Sequence, residues 1–266
     1  MNFPEHLRGR VAALWLVTLG AMVVLGVLGG CSTRNPYPVG SYDRAVFWGE
    51  QGRYQEAADA YEVFVRQNPT DSLAAQAQFE KALAYMQIKE YPLAAVEFQI
   101  LTQDYPISEL VEAARFHEGE CYYFQVGRIE RDVTPAYEAR LHWLDFARQY
   151  PTSEFMPQIR QYMQDISDLL VLKRLRAVKV YEQLRHWDAV ALGLDRILTE
   201  EPASGLIDEV LLKRGQVAER LDDPGTAGQM YRRLLDEYPD SALRDQAQAG
   251  LRRLAGDQDA PPDDET

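Results

Sequence analysis

The chain is poor in the side chains that bind soft metals or staple a fold: two cysteines and four histidines in 266 residues. His117, His142 and His186 stand in separate segments, and only Cys121 lies at helical spacing from one of them. Two ligands are too few for a zinc site, so neither a metal nor a cofactor is expected. Period-two alternation of apolar and polar residues is not sustained anywhere, which argues against strands. Without strands there is no strand–loop–helix context for a phosphate-binding glycine loop or a nucleophile elbow. No catalytic residue is assigned and no enzyme is expected. Positive charge is also scarce, with 28 Lys and Arg against 41 Asp and Glu and a net charge of −13. That balance disfavours nucleic acid as a partner and disfavours broad attraction to an anionic bilayer.

Long apolar runs are limited to one. Residues 11–28 are apolar but for Thr18, follow Arg8 and Arg10, and end in Leu28-Gly29-Gly30-Cys31. A basic start, an apolar stretch and small residues before a cut site make the layout of a secretory signal peptide. The run is near the lower length limit for a spanning helix. The last four residues look like a bacterial lipobox. By that resemblance the Cys31 thiol is acylated, the chain is cut before it, and residues 1–30 are lost. Ser32 stands where aspartate often marks inner-membrane retention, so the expected address is the outer membrane, periplasmic face. Cys121 is then left without a partner in its own chain and reads as a small buried apolar residue.

After the lipobox comes a short linker, 31–41, containing Asn35-Pro36-Tyr37-Pro38-Val39-Gly40. Residues 256–266 are acidic and proline-bearing, a tail that cannot bury apolar area and is expected to be disordered. Residues 42–255 read as helix, and they repeat. Five segments end at Pro69, Pro106, Pro151, Pro202 and Pro239. Twelve residues before each proline stand Ala57, Ala94, Ala139, Val190 and Ala227. Eight before stand Tyr61, Phe98, Trp143, Leu194 and Tyr231. Five before stand Phe64, Leu101, Phe146, Ile197 and Leu234. Steps of four and three place all three columns on one helix face. Each proline ends its helix, and Asp71, Ser108, Ser153, Ser204 and Ser241 stand two residues on as caps for the next one. Pro92 and Pro224 sit near helix starts, where a missing amide costs little. The proline spacings are 37, 45, 51 and 37. The outer two are close to the tetratricopeptide length of about 34. The inner two hold insertions, a 127–133 loop and a long helix over about 157–184. The expected fold is an all-α tetratricopeptide solenoid of about five helix pairs with a long central helix.

Aromatics off the three columns, Trp48, Tyr85, Tyr122 and Tyr123, lie on the first helices of their pairs. They are either ordinary packing between repeats or the wall of a peptide groove.

A lipobox followed by such repeats resembles the BamD (ComL-type) lipoproteins of the outer-membrane beta-barrel assembly machinery. The resemblance covers about 42–254. It is best at Asp132-Val133-Thr134-Pro135, at Tyr150-Pro151-Thr152-Ser153-Glu154-Phe155, and from the long helix through Tyr181 to Trp187-Asp188-Ala189-Val190. It implies a scaffold without catalysis. Its carboxy-terminal half would bind the barrel-forming subunit, and its amino-terminal repeats would receive unfolded outer-membrane protein segments. Arg174 stands where the family tends to carry glutamate. Val180-Tyr181 replaces a Tyr-Tyr pair, and Leu184 and Gly193 fall where arginines are usual. A second reading is a periplasmic repeat protein coordinating envelope or division proteins, as in CpoB-like chains. Those chains usually open with a coiled coil and are not lipid-anchored.

Overall fold

The computed structural model describes residues 34–127 and 132–258. Cys31 and the signal-peptide stretch lie outside the described residues, as do most of the 127–133 loop and most of the acidic tail. Among the described residues there are eleven helices and no strand. They are α1 (Tyr42–Glu50), α2 (Tyr54–Gln67), α3 (Ala74–Gln87), α4 (Tyr91–Asp104), α5 (Val111–Phe124), α6 (Thr134–Gln149), α7 (Met156–Gln183), α8 (Trp187–Glu200), α9 (Ile207–Arg220), α10 (Pro224–Glu237) and α11 (Arg244–Gln258). The last helix therefore runs through Gln258, three residues into the stretch read as a tail. None of these helices is long and apolar enough to cross a membrane.

The three columns sit on α2, α4, α6, α8 and α10, and all fifteen residues are buried. Each of these helices packs against its neighbours in the chain, which makes a solenoid of five pairs closed by α11. Where a column residue is largest, its neighbour is glycine. A Cβ on Gly119 would run into Nε1 of Trp143, and Cβ atoms on Gly215 and Gly250 would both run into the Tyr231 ring. These glycines are needed for close approach, because a bulkier residue would push the helices apart.

Two turns recur. After each proline the residue expected as a cap closes a turn ahead of the helix instead, accepting an amide from two residues on: Leu73 N–H to Asp71 at 2.8 Å, Leu110 to Ser108 at 3.2 Å, Phe155 to Ser153 at 3.2 Å, Leu206 to Ser204 at 3.1 Å and Leu243 to Ser241 at 3.0 Å. The N-caps Leu73, Leu110, Phe155 and Leu206 make no side-chain cap bond. Within four of the pairs, the turn has one residue at positive φ: Gly52, Lys89, Arg185 and Asp222. In each, the next amide reaches back five residues, as from Arg53 to Trp48 and from Glu90 to Tyr85. This is the Schellman closure, which satisfies the orphan carbonyls at a helix end. Glycine suits that position best, and only one of the four has it.

The core is four clusters in series. The 28-residue α7, about 42 Å long, belongs to two of them. Ile159, Ile166 and Leu170 join the cluster of α5 and α6, while Val171 and Val178 join that of the carboxy-terminal repeats. The same junction is bridged by a polar clamp. Arg140 on α6 donates both terminal nitrogens to Glu201 (2.7 and 3.2 Å) and one also to Ser167 (3.2 Å), and Glu201 is 2% exposed.

Candidate functional site

Two concave surfaces stand out, one in the amino-terminal repeats and one where the central helix meets the carboxy-terminal repeats. The first is a cavity of about 460 Å³ between α1, α2 and α3. Tyr42, Val46 and Gly49 come from one stripe of α1, and Leu83 and Gln87 from one stripe of α3. Helical spacing of three and four aims each stripe at the same space. Tyr54 and Tyr61 form the back wall, and Glu50 and Glu80 supply its charge. The Tyr42 ring meets Tyr61 and Phe64 edge-on at 5.6 and 5.7 Å. Burial, then the negative charge of Glu80, pushes the Tyr42 hydroxyl above its ordinary value. Burial does the same to Tyr61, so both stay neutral hydrogen-bonding groups. A Cβ on Gly49 would meet nothing within 4 Å, so the wall is open there. No basic side chain lines this space. It can hold an aliphatic or aromatic side chain of an uncharged or basic segment.

The second is a cavity of about 320 Å³ between α7 and α8, lined by Val178, Tyr181, Ala189 and Gly193 with Arg174 and Arg196 at its edge. Gly193 lets the helices close, since a Cβ there would lie 2.7 Å from a Val178 methyl. Both arginines pair with Glu200, and Arg174 is also 4.0 Å from Glu201. Tyr181 in its wall is exposed, as are Leu172, Val180, Leu184 and Leu192 elsewhere on α7, its end and α8. Residues 173–185 carry Lys173, Arg174, Arg176, Lys179 and Arg185 against Glu182 alone. The facing helix α8 brings Asp188, Asp195 and Glu200, and Glu200 pairs with both cavity arginines, so the rim is of mixed charge. Three positions singled out as departures from the resemblance fall here: Arg174 and Gly193 line the cavity, and Leu184 is exposed at the end of α7.

The four aromatics proposed as a groove are not brought together. Trp48 belongs to the α1–α3 core, with the Arg53 guanidinium 4.1 Å over its ring. Tyr85 packs between that core and the next. Tyr122 donates to Glu118 at 3.3 Å. Tyr123 donates to Asp165 at 3.0 Å and stacks against Tyr162. Burial leads in raising the Tyr122 and Tyr123 hydroxyls to about 12. The four pack against three clusters, and Trp48 and Tyr123 also line two separate hollows, so no single groove gathers them. The tyrosines that do line the amino-terminal cavity, Tyr42 and Tyr54, went unremarked in the sequence, and Tyr61 was read only as core.

α5 also holds a buried polar row. His117 Nδ1 is 2.7 Å from Glu120, and His142 Nε2 donates to the Arg115 carbonyl at 2.6 Å. Burial raises the Glu118 carboxyl, partly offset by nearby His142. Burial likewise pushes the Cys121 thiol far above its ordinary value, which makes it inert. Among the described residues no group of three His, Cys, Asp or Glu side chains is placed to hold a metal ion.

Known proteins bear on these surfaces. The outer membrane protein assembly factor BamD of Caulobacter vibrioides is 21% identical over 174 residues, covering 62% of this chain and 57% of that relative. The chain thus matches little more than half the length of that relative. A crystal structure of a thermophilic TPR protein from Thermus thermophilus aligns over 78% of this chain and 95% of its own at 19% identity, with a TM-score of 0.32. The tetratricopeptide repeat family matches residues 209–241, which hold α9 and α10. The family described as YfiO, outer membrane lipoprotein, matches residues 36–222, and the chain belongs to it.

Proposed function

We propose that the chain is a lipid-anchored scaffold of outer-membrane protein assembly, acylated at Cys31 and carrying its solenoid on the periplasmic face. The scaffold performs no catalysis. The tyrosine-lined cavity of α1–α3 receives unfolded outer-membrane protein segments, whose apolar side chains it fits. The α7–α8 face, within 170–254, docks the barrel-forming subunit. The observation that carries this reading is the family match over 36–222, which spans both surfaces. The docking contact is electrostatic in part, so it weakens with salt.

Co-purification from detergent-solubilised envelope tests this. Recovery of the barrel-forming subunit is expected, and it should be lost when the chain is truncated after about Tyr150. Recovery of division or peptidoglycan enzymes with no barrel-assembly protein would overturn the reading in favour of the CpoB-like one. Intact mass of the native protein tests the anchor. A mature chain beginning at acylated Cys31 is expected, and Cys31→Ala should leave it uncut.

A further inference from the structure

Residues 34–41, ahead of the solenoid, are pinned to it rather than loose. The Asn35 side chain is nearly buried and donates to the Arg44 carbonyl at 2.8 Å, while its own oxygen accepts the Tyr37 amide at 3.0 Å. Arg44 returns a bond to the Tyr37 carbonyl at 2.9 Å, and the Tyr37 ring meets Phe47 edge-on at 6.2 Å. Gly40, at φ +85°, lets the segment close on the Gln67 side chain. What this fixed segment presents outward is apolar: Tyr37 is 42% exposed and Val39 72%. Arg34 and Arg44 flank it, while Arg53 is paired with Glu56 and, with Asp59, Glu56 lines the hollow beside Val39 and Arg44.

Chain length then limits what can cover this patch. Four residues separate Asn35 from Cys31, and an extended chain spans at most about 3.6 Å per residue, or about 14 Å in all. An acyl group on Cys31 must lie in a leaflet, so the patch is held within that distance of the headgroups. Tyrosine beside arginine is the composition that settles at a membrane interface.

We infer that Tyr37 and Val39, flanked by Arg34 and Arg44, form a seat on the phospholipid leaflet that holds the Cys31 lipid, and that this seat fixes the tilt of the solenoid on the membrane. The inference rests on acylation of Cys31. It is tested on the lipidated full chain in phosphatidylethanolamine–phosphatidylglycerol vesicles. An environment-sensitive fluorophore is placed on Val39→Cys or, at the far end of the solenoid, on Asp240→Cys, while buried Cys121 stays unlabelled. The Val39 label should brighten about twofold on reconstitution and be quenched by lipids brominated in the acyl chain. The Asp240 label should do neither. An acylated chain whose Val39 label stays water-like, or whose two labels respond alike, overturns the seat alone. A mass without acyl groups in the same sample overturns the anchor, and the seat with it.

Discussion

The amino-terminal repeats and the junction of α7 with α8 share one repeat geometry and carry different surfaces. At the amino-terminal end, Tyr42, Tyr54 and Tyr61 face carboxylates Glu50 and Glu80 with no cation among them. At the α7–α8 junction, Arg174 and Arg196 edge a cavity with exposed Tyr181 in its wall. The buried columns are nearly interchangeable between the two. A repeat therefore fixes what faces its neighbours and leaves what faces solvent open to change. The two linings differ in chemistry, tyrosines with carboxylates in one and Glu200-paired arginines in the other, so they would favour different occupants.

Cutting the middle is the harshest way to break this comparison. Trp143→Ala removes a fully buried indole between the two surfaces and should cost about 3–5 kcal/mol by urea unfolding. Arg140→Ala leaves Glu201 buried without its bidentate partner and should cost a similar 3–5 kcal/mol. Losses under 1 kcal/mol in both would mean that the halves are not joined through α6 and α7. Plugging one cavity sharpens the comparison. Gly49→Leu has open space to fill and should weaken aromatic-peptide binding about tenfold. Capture of the barrel-forming subunit should stay within about twofold. The double change Leu184→Asp and Leu192→Asp should do the reverse. If either variant weakens both activities, the two surfaces are not separate.

Smaller effects probe what the two halves have in common. Lys89→Gly in the amino-terminal half and Arg185→Gly in the carboxy-terminal half relieve the same left-handed residue. Each should gain about 1 kcal/mol, read as a raised thermal midpoint. The smallest effect is at Glu118. Its folded pKa is raised, so its contribution to stability is greatest below the unfolded carboxyl pKa and is lost as pH rises through the folded one. Glu118→Gln should match the parent at low pH and melt slightly higher at neutral pH. An opposite trend would mean that His142 and Arg115 outweigh burial.

The second helices were legible because a proline marks each end and three apolar columns run back from it. Asp71, Ser108, Ser153, Ser204 and Ser241 mark the recurring turn, but each accepts an amide two residues on, ahead of the helix, and the N-caps fall later, as at Leu73, Leu110, Phe155 and Leu206. The amino-terminal cavity was not read, because most of its residues lie on first helices, which no shared terminator aligns. Tyr42, Val46 and Gly49 do stand at helical spacing, and Gly119 and Gly215 mark where a first helix meets an aromatic. Those were the available signals. The Arg140–Glu201 clamp joins residues 61 apart and leaves no local pattern. Lys89, Arg185 and Asp222 hide the Schellman turns, because none is the glycine that such a turn favours.

Leu170 and Val171 are adjacent in the chain and enter different cores. One turn of α7 is therefore common property of both halves. In a stack whose units touch only their neighbours, unfolding can start at an end and proceed repeat by repeat. A helix owned by two units forbids that at the centre, since neither half can melt without stripping the other of part of its interior. Fraying from either end should therefore stall at α7, and the last structure lost on denaturation should be the centre of this helix with the walls of both cores around it.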